Sequence, residues 1–570
     1  MKKWALFFAV MLLLIPAAGA KQGHITLLAV SETDSGYKGV TADLYLEIEP
    51  GNDRVFIESF PLTKLDTQIS TRFAKDIACQ YIEMDCSNYD FFYTIKGSSA
   101  IIGGPSAGAA MSALTVALLG NKRINDSVAI TGTINSGGII GPVGGIKEKI
   151  EAAKDLGLGT VIIPKGQGTF NVSSLTRNFS EYGGGMGINV VESYDLDDAL
   201  VYLTGEEKKK ETAPLEIDPG YLGIMGSLAG DICNRSREII LQVQDVDEKF
   251  MQEEDAANEL HELGLEAKKS GDYYSAASFC FGANVRYRGI EFMSKKYSAG
   301  EIRREAEQLM EQSKRFLASL PEIKTVTDVQ TFSIVKERII NMEDNINASL
   351  AYLEAGETEK SISLLAYATE RLYSAHTWGY FFGQGKKIAT ADLNASCITK
   401  LSEAEEMIQY VKLFTPDSIS QTELGLKRAY EDFERGEFEL CLFKASKAKA
   451  EANAAIDFLS VNKEDIKQLV MKKNEMAKKV IIRQTKKGTF PVIGYSYYEY
   501  ARSLDETEEQ SALLYSEYAL ELSNLDMYFR EKKRIRINRE EAATFASGFI
   551  LGVIALYLIS TMKKRRRITL

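Results

Sequence analysis

Over the first third of the chain, apolar and polar positions alternate with a period near two and then gather into short helical stripes. His24–Val30 and Thr41–Ile48 alternate or are β-branched and predict strands. Val128–Thr133 reads the same way, as does Thr160–Ile163, which Pro164 ends. Ser98–Ile102 leads into Gly103-Gly104-Pro105-Ser106. Ala107–Leu119 is then almost wholly small or apolar, the pattern of a buried helix stopped by Gly120-Asn121. A second helix covers Gly144–Leu156, with Gly157 as its stop. Strands interleaved with helices over 22–205 predict a mixed α/β or α+β fold.

A hydrophilic stretch from Gly205 to Gly220 reads as a linker. Beyond it, Tyr221 to Glu541 is rich in Ala, Leu, Glu and Lys with helical periodicity. Three joints recur there, at Gly271, Gly356 and Gly436, each a helical run, a glycine turn, an acidic residue and a second run. Their separations of 85 and 80 residues exceed the short period of tetratricopeptide repeats, so an all-α, helical-hairpin (tetratricopeptide-like) region is expected without a named repeat.

The two ends suggest a location. Residues 1–20 carry two lysines, an apolar run from Trp4 to Ile15 and a small-residue cleavage site at Ala18-Gly19-Ala20, the layout of a secretory signal peptide. Ala542 to Met562 is a 21-residue stretch without a charge, followed by five consecutive cations from Lys563 to Arg567. That reads as one C-terminal transmembrane helix with a basic cytoplasmic tail. The expected plan is a signal peptide (1–20), an α+β domain (21–205), a linker (206–220), a helical domain (221–541), a transmembrane helix (542–562) and a tail (563–570). The body would then lie outside the cytoplasm on a single-pass membrane protein.

Composition narrows the function. The chain of 570 residues is too long for one core. Its net charge of -11 argues against a nucleic-acid binder. Six cysteines form an even set that allows 15 full pairings, with Cys79 and Cys86 close enough to bridge locally. Sequons at Asn125, Asn171, Asn178, Asn234, Asn347 and Asn394 fit a glycosylated exterior. Only three histidines occur, His24, His261 and His376, and none falls between Ser106 and Leu203.

That scarcity shapes the candidate chemistry. Gly104-Pro105-Ser106-Ala107-Gly108 sets a serine at the junction of a strand and a buried helix, where helix N-terminal N–H groups face negative charge. It also satisfies G-x-S-x-G, but an α/β-hydrolase triad needs a downstream histidine that is missing. A different base is available. Ile146, Lys149, Ile150, Ala153 and Leu156 share one helical face, while Lys147, Glu151 and Lys154 share the opposite one. Burial lowers a lysine pKa, so Lys149 can serve as the base a serine nucleophile needs.

GGPSAGAAM, followed by AITGTINSGGIIGPVGGIKEKIEAAKDLGLGTVIIPKG, closely resembles the proteolytic domain of Lon proteases, which use a Ser-Lys dyad. The resemblance covers about residues 22–205. It implies an α+β Lon-type fold with Ser106 as nucleophile, Lys149 (the second lysine of KEK) as general base and Thr131 as a group that positions the lysine. The backbone N–H groups of Ser106 and Ala107 are the oxyanion-hole candidates. Gly103 and Thr133 depart from the family, which often carries acidic residues at both positions. No G-x-x-x-x-G-K-[ST] occurs anywhere, so the resemblance implies an ATP-independent, membrane-tethered peptidase acting on extracytoplasmic polypeptides. No cofactor and no metal are implied. The alternative is a non-catalytic surface protein that uses the Lon-like fold for binding or assembly, with self-processing as a third option. Self-association and protein partners for the helical domain are left open.

Overall fold

The long alternating run that opens the chain forms a four-stranded sheet. β1 (Lys21–Thr33) and β2 (Gly36–Pro50) make an antiparallel hairpin, β3 (Val55–Phe60) is an edge strand, and β4 (Tyr89–Gly97) lies between β2 and β3. Leu44, Leu46 and Ile48 of β2, with Phe91, Tyr93 and Ile95 of β4, turn one face into core. Against that core stand α1 (Leu65–Tyr81) and α2 (Gly108–Leu119). Ser112 Oγ donates to the Ala74 carbonyl over 3.0 Å, and the Tyr93 and Thr115 hydroxyls meet at 2.8 Å. These are results of a computed structural model of the 570-residue chain, which describes residues 20–33, 36–97, 103–172, 175–207, 214–242, 248–385, 387, 393–415, 419–504, 508–529 and 547–559.

The expected strand over Val128–Thr133 divides in two, β5 (Val128–Ile130) and β6 (Thr133–Ile134). The break has a backbone cause. Thr131 N–H still donates to Ile162, but Gly132 N–H donates to the Ser106 carbonyl over 2.9 Å, and the Gly132 carbonyl accepts from Ala109. The chain leaves the sheet there to hold the serine turn. β6 pairs with β7 (Ile140–Gly141) as a short antiparallel ribbon. α3 (Ile146–Asp155) follows, then β8 (Thr160–Pro164) and the hairpin of β9 (Thr169–Val172) and β10 (Leu175–Asn178). After α4 (Phe179–Gly184), β11 (Asn189–Ser193) completes a parallel sheet of order β11-β8-β5, and α5 (Leu196–Thr204) closes the region. The architecture is α+β.

From Pro219 onward the chain is helical. Asp218 caps α6 (Pro219–Ile240), and five more helices follow: α7 (Met251–Ser270), α8 (Tyr273–Ser294), α9 (Ala299–Ala318), α10 (Val326–Glu354) and α11 (Thr358–Trp378). The series continues with α12 (Leu393–Lys412), α13 (Ser420–Glu434), α14 (Phe438–Ser460), α15 (Lys463–Lys486), α16 (Val492–Leu504) and α17 (Glu509–Ser523). Gly271, Gly356 and Gly436 end α7, α10 and α13 with positive φ of 89°, 79° and 77°, and each turns the chain straight into the next helix. Disulfides join Cys79 to Cys86, Cys233 to Cys280 and Cys397 to Cys441. Two sequon asparagines, Asn125 and Asn178, accept from the N–H groups of Ser127 and Ser180, so their side chains serve local turns.

The α+β region and the helices belong to one unit that ends at Phe529. Several polar contacts join them. Ser136 donates to Glu521 Oε1 over 2.8 Å, Asn524 donates to Gln80 over 2.9 Å, and Lys472 and Lys479 pair with Asp195 and Asp197. Part of the expected linker, 208–213, lies outside the described residues.

The second unit covers Arg530–Leu570, and its described part is a helix over 547–559. Here the sequence expectation is corrected. Among the described residues no helix is long and apolar enough to cross a membrane. The transmembrane helix at 542–562, and the single-pass placement with a cytoplasmic tail that rested on it, are therefore not supported. Residues 1–19 of the expected signal peptide and the basic tail at 563–570 lie outside the described residues.

Candidate active site

Three segments converge on the serine. The first is the tight turn Pro105–Ala107, which feeds directly into α2. Gly104 N–H ahead of it donates to Asp66 Oδ2 over 3.0 Å, anchoring the turn to the start of α1. Ser106 is partly exposed, whereas α2 behind it is buried almost throughout. Ser106 and Ala107 stand at the helix entrance, where the first N–H groups have no acceptor within the helix. Gly103, one departure from the Lon pattern, is exposed beside the Lys64 stem.

The second segment is the crossing between β5 and β6. Thr131 is 1% exposed, and its Oγ1 lies 3.5 Å from the Ser106 carbonyl oxygen. Thr133, the other departure, is buried, with its Oγ1 against Gly141. The third segment is α3. Gly145 starts it with φ of 68°, and a Cβ there would stand 2.5 Å from Val30 Cγ1, so glycine is required by both backbone and space. The helix then turns Ile146, Lys149, Ile150 and Ala153 inward. Lys147 stays half-exposed, 3.8 Å from Glu151. Leu156 departs from the expected face. It is the C-cap residue, 52% exposed, because α3 ends at Asp155 and the chain turns away.

Lys149 is 2% exposed, and its Nζ donates to Thr131 Oγ1 over 2.9 Å. Burial pulls its amine down to about 7 from an ordinary 10.5, with only the Glu148 carboxylate opposing. Thr131 thus touches both partners, the Lys149 amine through its hydroxyl and the Ser106 carbonyl beside it. Among the described residues no hydrogen bond joins Ser106 Oγ to Lys149 Nζ. Catalytic hydrogen bonds in substrate-free enzymes commonly tighten only when substrate arrives.

The helical region also borders this site, which local sequence patterns did not reveal. Tyr410 at the end of α12 reaches the Pro142 carbonyl over 3.4 Å, just ahead of α3. Gly137, in the loop after β6, sits against Leu520, Met476 and Val480. The available signal was the placement of Lys400 and Glu403 among the apolar positions Cys397, Leu401, Ala404 and Met407 of α12.

Residues 88–198 match the family model of the Lon protease (S16) C-terminal proteolytic domain. The Lon protease of Paraburkholderia phytofirmans is 39% identical over 89 residues, 15% of this chain and 11% of the relative. The archaeal Lon protease of Thermoplasma acidophilum is 28% identical over 153 residues, 26% of this chain and 23% of the relative. That of Archaeoglobus fulgidus is 30% identical over 131 residues, 23% of this chain and 20% of the relative. The chain thus spans less than a quarter of the length of these relatives, and the matched family region stops before the helices begin. Residues 88–198 therefore match a proteolytic domain of the Lon type, set in a chain whose helical region the match does not reach.

Proposed function

We propose that this protein is an ATP-independent serine endopeptidase, with Ser106 as nucleophile and Lys149 as general base. The observation that carries the reading is the buried Lys149 amine, lowered to about 7 and held by Thr131 beside a partly exposed serine. Neutral Lys149 takes the proton from Ser106 Oγ as that oxygen attacks a peptide carbonyl. The Ser106 and Ala107 N–H groups at the entrance to α2 receive the developing oxyanion. Lys149 then hands the proton to the leaving amine, and water resolves the acyl-enzyme. Thr131 keeps the amine aimed at the serine.

The 570 residues contain no P-loop motif, so hydrolysis in this reading draws on no ATPase module of this chain. Without an unfolding motor in the chain, the fitting substrates are flexible tails, loops and damaged polypeptides. Three disulfides fit a protein that meets them in oxidising surroundings. The test is incubation of the full chain with unstructured casein alongside Ser106→Ala and Lys149→Ala. The parent should cleave casein, and each substitution should cut the rate at least about 100-fold. Cleavage that persists in Ser106→Ala would sink the reading.

A further inference from the structure

Beside the serine turn the chain leaves a small cavity, about 20 Å³ at its centre, within about 290 Å³ of atom-free space that includes open solvent. The inner volume suits one water-sized group. Phe73 and Pro105 of the α+β region form one side, and Glu403, Glu406 and Met407 of α12 with Lys449 of α14 form the other. Pro105 immediately precedes Ser106. The helical side lies wholly outside the stretch that matches Lon proteolytic domains.

The charges around this cavity do not balance. Lys400 Nζ lies 3.1 Å from Glu403 and 2.7 Å from Glu521, and Lys449 Nζ lies 2.8 Å from Glu403 and 3.5 Å from Glu521. Three carboxyl groups, Glu403, Glu406 and Glu521, thus meet two ammonium groups. Glu406 is the one left over: among the described residues no ion pair includes it, and its Oε1 is buried without a hydrogen-bond partner. Burial, with the Glu403 and Asp66 carboxylates nearby, pushes its carboxyl well above the usual carboxylate range, and Lys449 and the Ser70 hydroxyl only partly offset this. Folded proteins leave few buried acceptors unpaired, so this one calls for a donor. A small donor fits the space, and an ammonium group would in addition supply the charge that holds the carboxyl ionised.

We propose that the cavity receives the ammonium end of a lysine side chain from the polypeptide held at Ser106, with Glu406 as its partner. This rests on the peptidase reading above and makes Glu406 a specificity-determining residue. An ammonium group is a compact point charge and matches a water-sized space, whereas the planar guanidinium of arginine does not. A norleucine side chain fills the same path but leaves the Glu406 oxygen unpaired.

Binding to the full-length Ser106→Ala chain tests this without turnover. Short fluorescent peptides of Gly, Ser and Ala carry one central lysine, norleucine or arginine, and anisotropy reads their affinity. The lysine peptide should bind about tenfold more tightly than the norleucine peptide. That advantage should vanish when Glu406→Gln is added, with the thermal midpoint of the double variant confirming its fold. Should Glu406→Gln fail to fold, Glu406→Asp withdraws the carboxylate while keeping its charge and should shrink the advantage. No lysine advantage, including no binding of any peptide, overturns the proposal, as does an advantage undiminished by the Glu406 substitution. Hydrolysis of the same peptides by the unsubstituted chain reports the peptidase reading separately, since lysine selectivity in binding does not depend on turnover.

Discussion

Lys149 Nζ stands 2.9 Å from Thr131 Oγ1, and this contact ties the buried amine to the strand crossing that also holds the Ser106 carbonyl. The lysine pays for its place in solvation, since burial is what draws its amine down to about 7. Both activity and stability should carry that signature.

The sign of the pH dependence follows. In the unfolded chain Lys149 keeps its proton up to about pH 10.4, but in the fold only up to about 7. Between these values the unfolded state binds more protons, so the contribution of Lys149 to stability rises with pH across that window and is least favourable below 7. Lys149→Met should therefore stabilise the fold more at pH 6 than at pH 9, by about 2–3 kcal/mol. Thermal melts at the two pH values measure the difference. Peptide hydrolysis should rise to a plateau above about pH 7. Lys149→Arg should be inactive, since guanidinium keeps its proton, whereas Lys147→Ala should stay within a few-fold of the parent. An active Lys149→Arg chain would break the assignment of the base.

Thr131 acts through Lys149 and so is a positioning residue. Thr131→Val removes the acceptor while keeping the shape, and kcat should fall about tenfold. Thr131→Ser restores the hydroxyl and should recover most of the loss. The pH profile separates this role from a purely structural one, because a free amine in the same apolar setting loses a bond to its charged form. Its midpoint should move downward in Thr131→Val. An unmoved midpoint with the same loss of rate would make Thr131 a packing residue.

How far the sequence exposed this site depends on how local each signal is. Ser106 and Lys149 were legible because each is announced within about ten residues, one by a glycine-bounded serine turn and the other by a lysine inside an apolar helical stripe. The same periodicity misplaced Leu156, since a 3.6-residue pattern does not mark where the last turn of a helix ends. It also ran β5 and β6 together, because the break is made by a backbone bond from Gly132 to the distant Ser106. Glu406 and Lys449 were invisible for a different reason, and Glu403 showed only as a charge among apolar positions of α12. Their partners lie on other helices and on the serine turn, and only tertiary packing brings those together. The apolar run at 542–562 was read from composition alone, and among the described residues no helix is long and apolar enough to cross a membrane.

The Cys79–Cys86 bridge ties the end of α1 to the chain just before β4, across a sequence separation of 7. Closing so short a loop contributes about 2–3 kcal/mol in the chain-entropy model. Replacing both cysteines by alanine should lower the urea midpoint accordingly while leaving the Lys149–Thr131 pair in place. Non-reducing peptide mapping of the parent should recover the two residues in one linked peptide. Recovery of two free thiols would remove the bridge.

The last prediction concerns the two regions as one body. Ser136 bonded to Glu521, Gln80 to Asn524, and Lys472 and Lys479 paired with Asp195 and Asp197 distribute the interface along α1, the loop after β6 and α5. Glu521 is held down to about 2: burial works to raise it, but Lys400 and Lys449 prevail, so it stays ionised as an acceptor for Ser136. Buried apolar groups add to this, since Ile139 belongs to the same cluster as Met476, Val480 and Leu520. A protease site inserted at 208–213 should therefore be cut without separating the pieces. Both should elute together in size-exclusion chromatography at neutral pH and moderate salt. The isolated 21–205 fragment should lose its cooperative melt, because the loop that follows Thr131 and Thr133 loses its packing partners. Elution as two species, each with its own sharp melt, would make the helices an independent domain and detach them from the site.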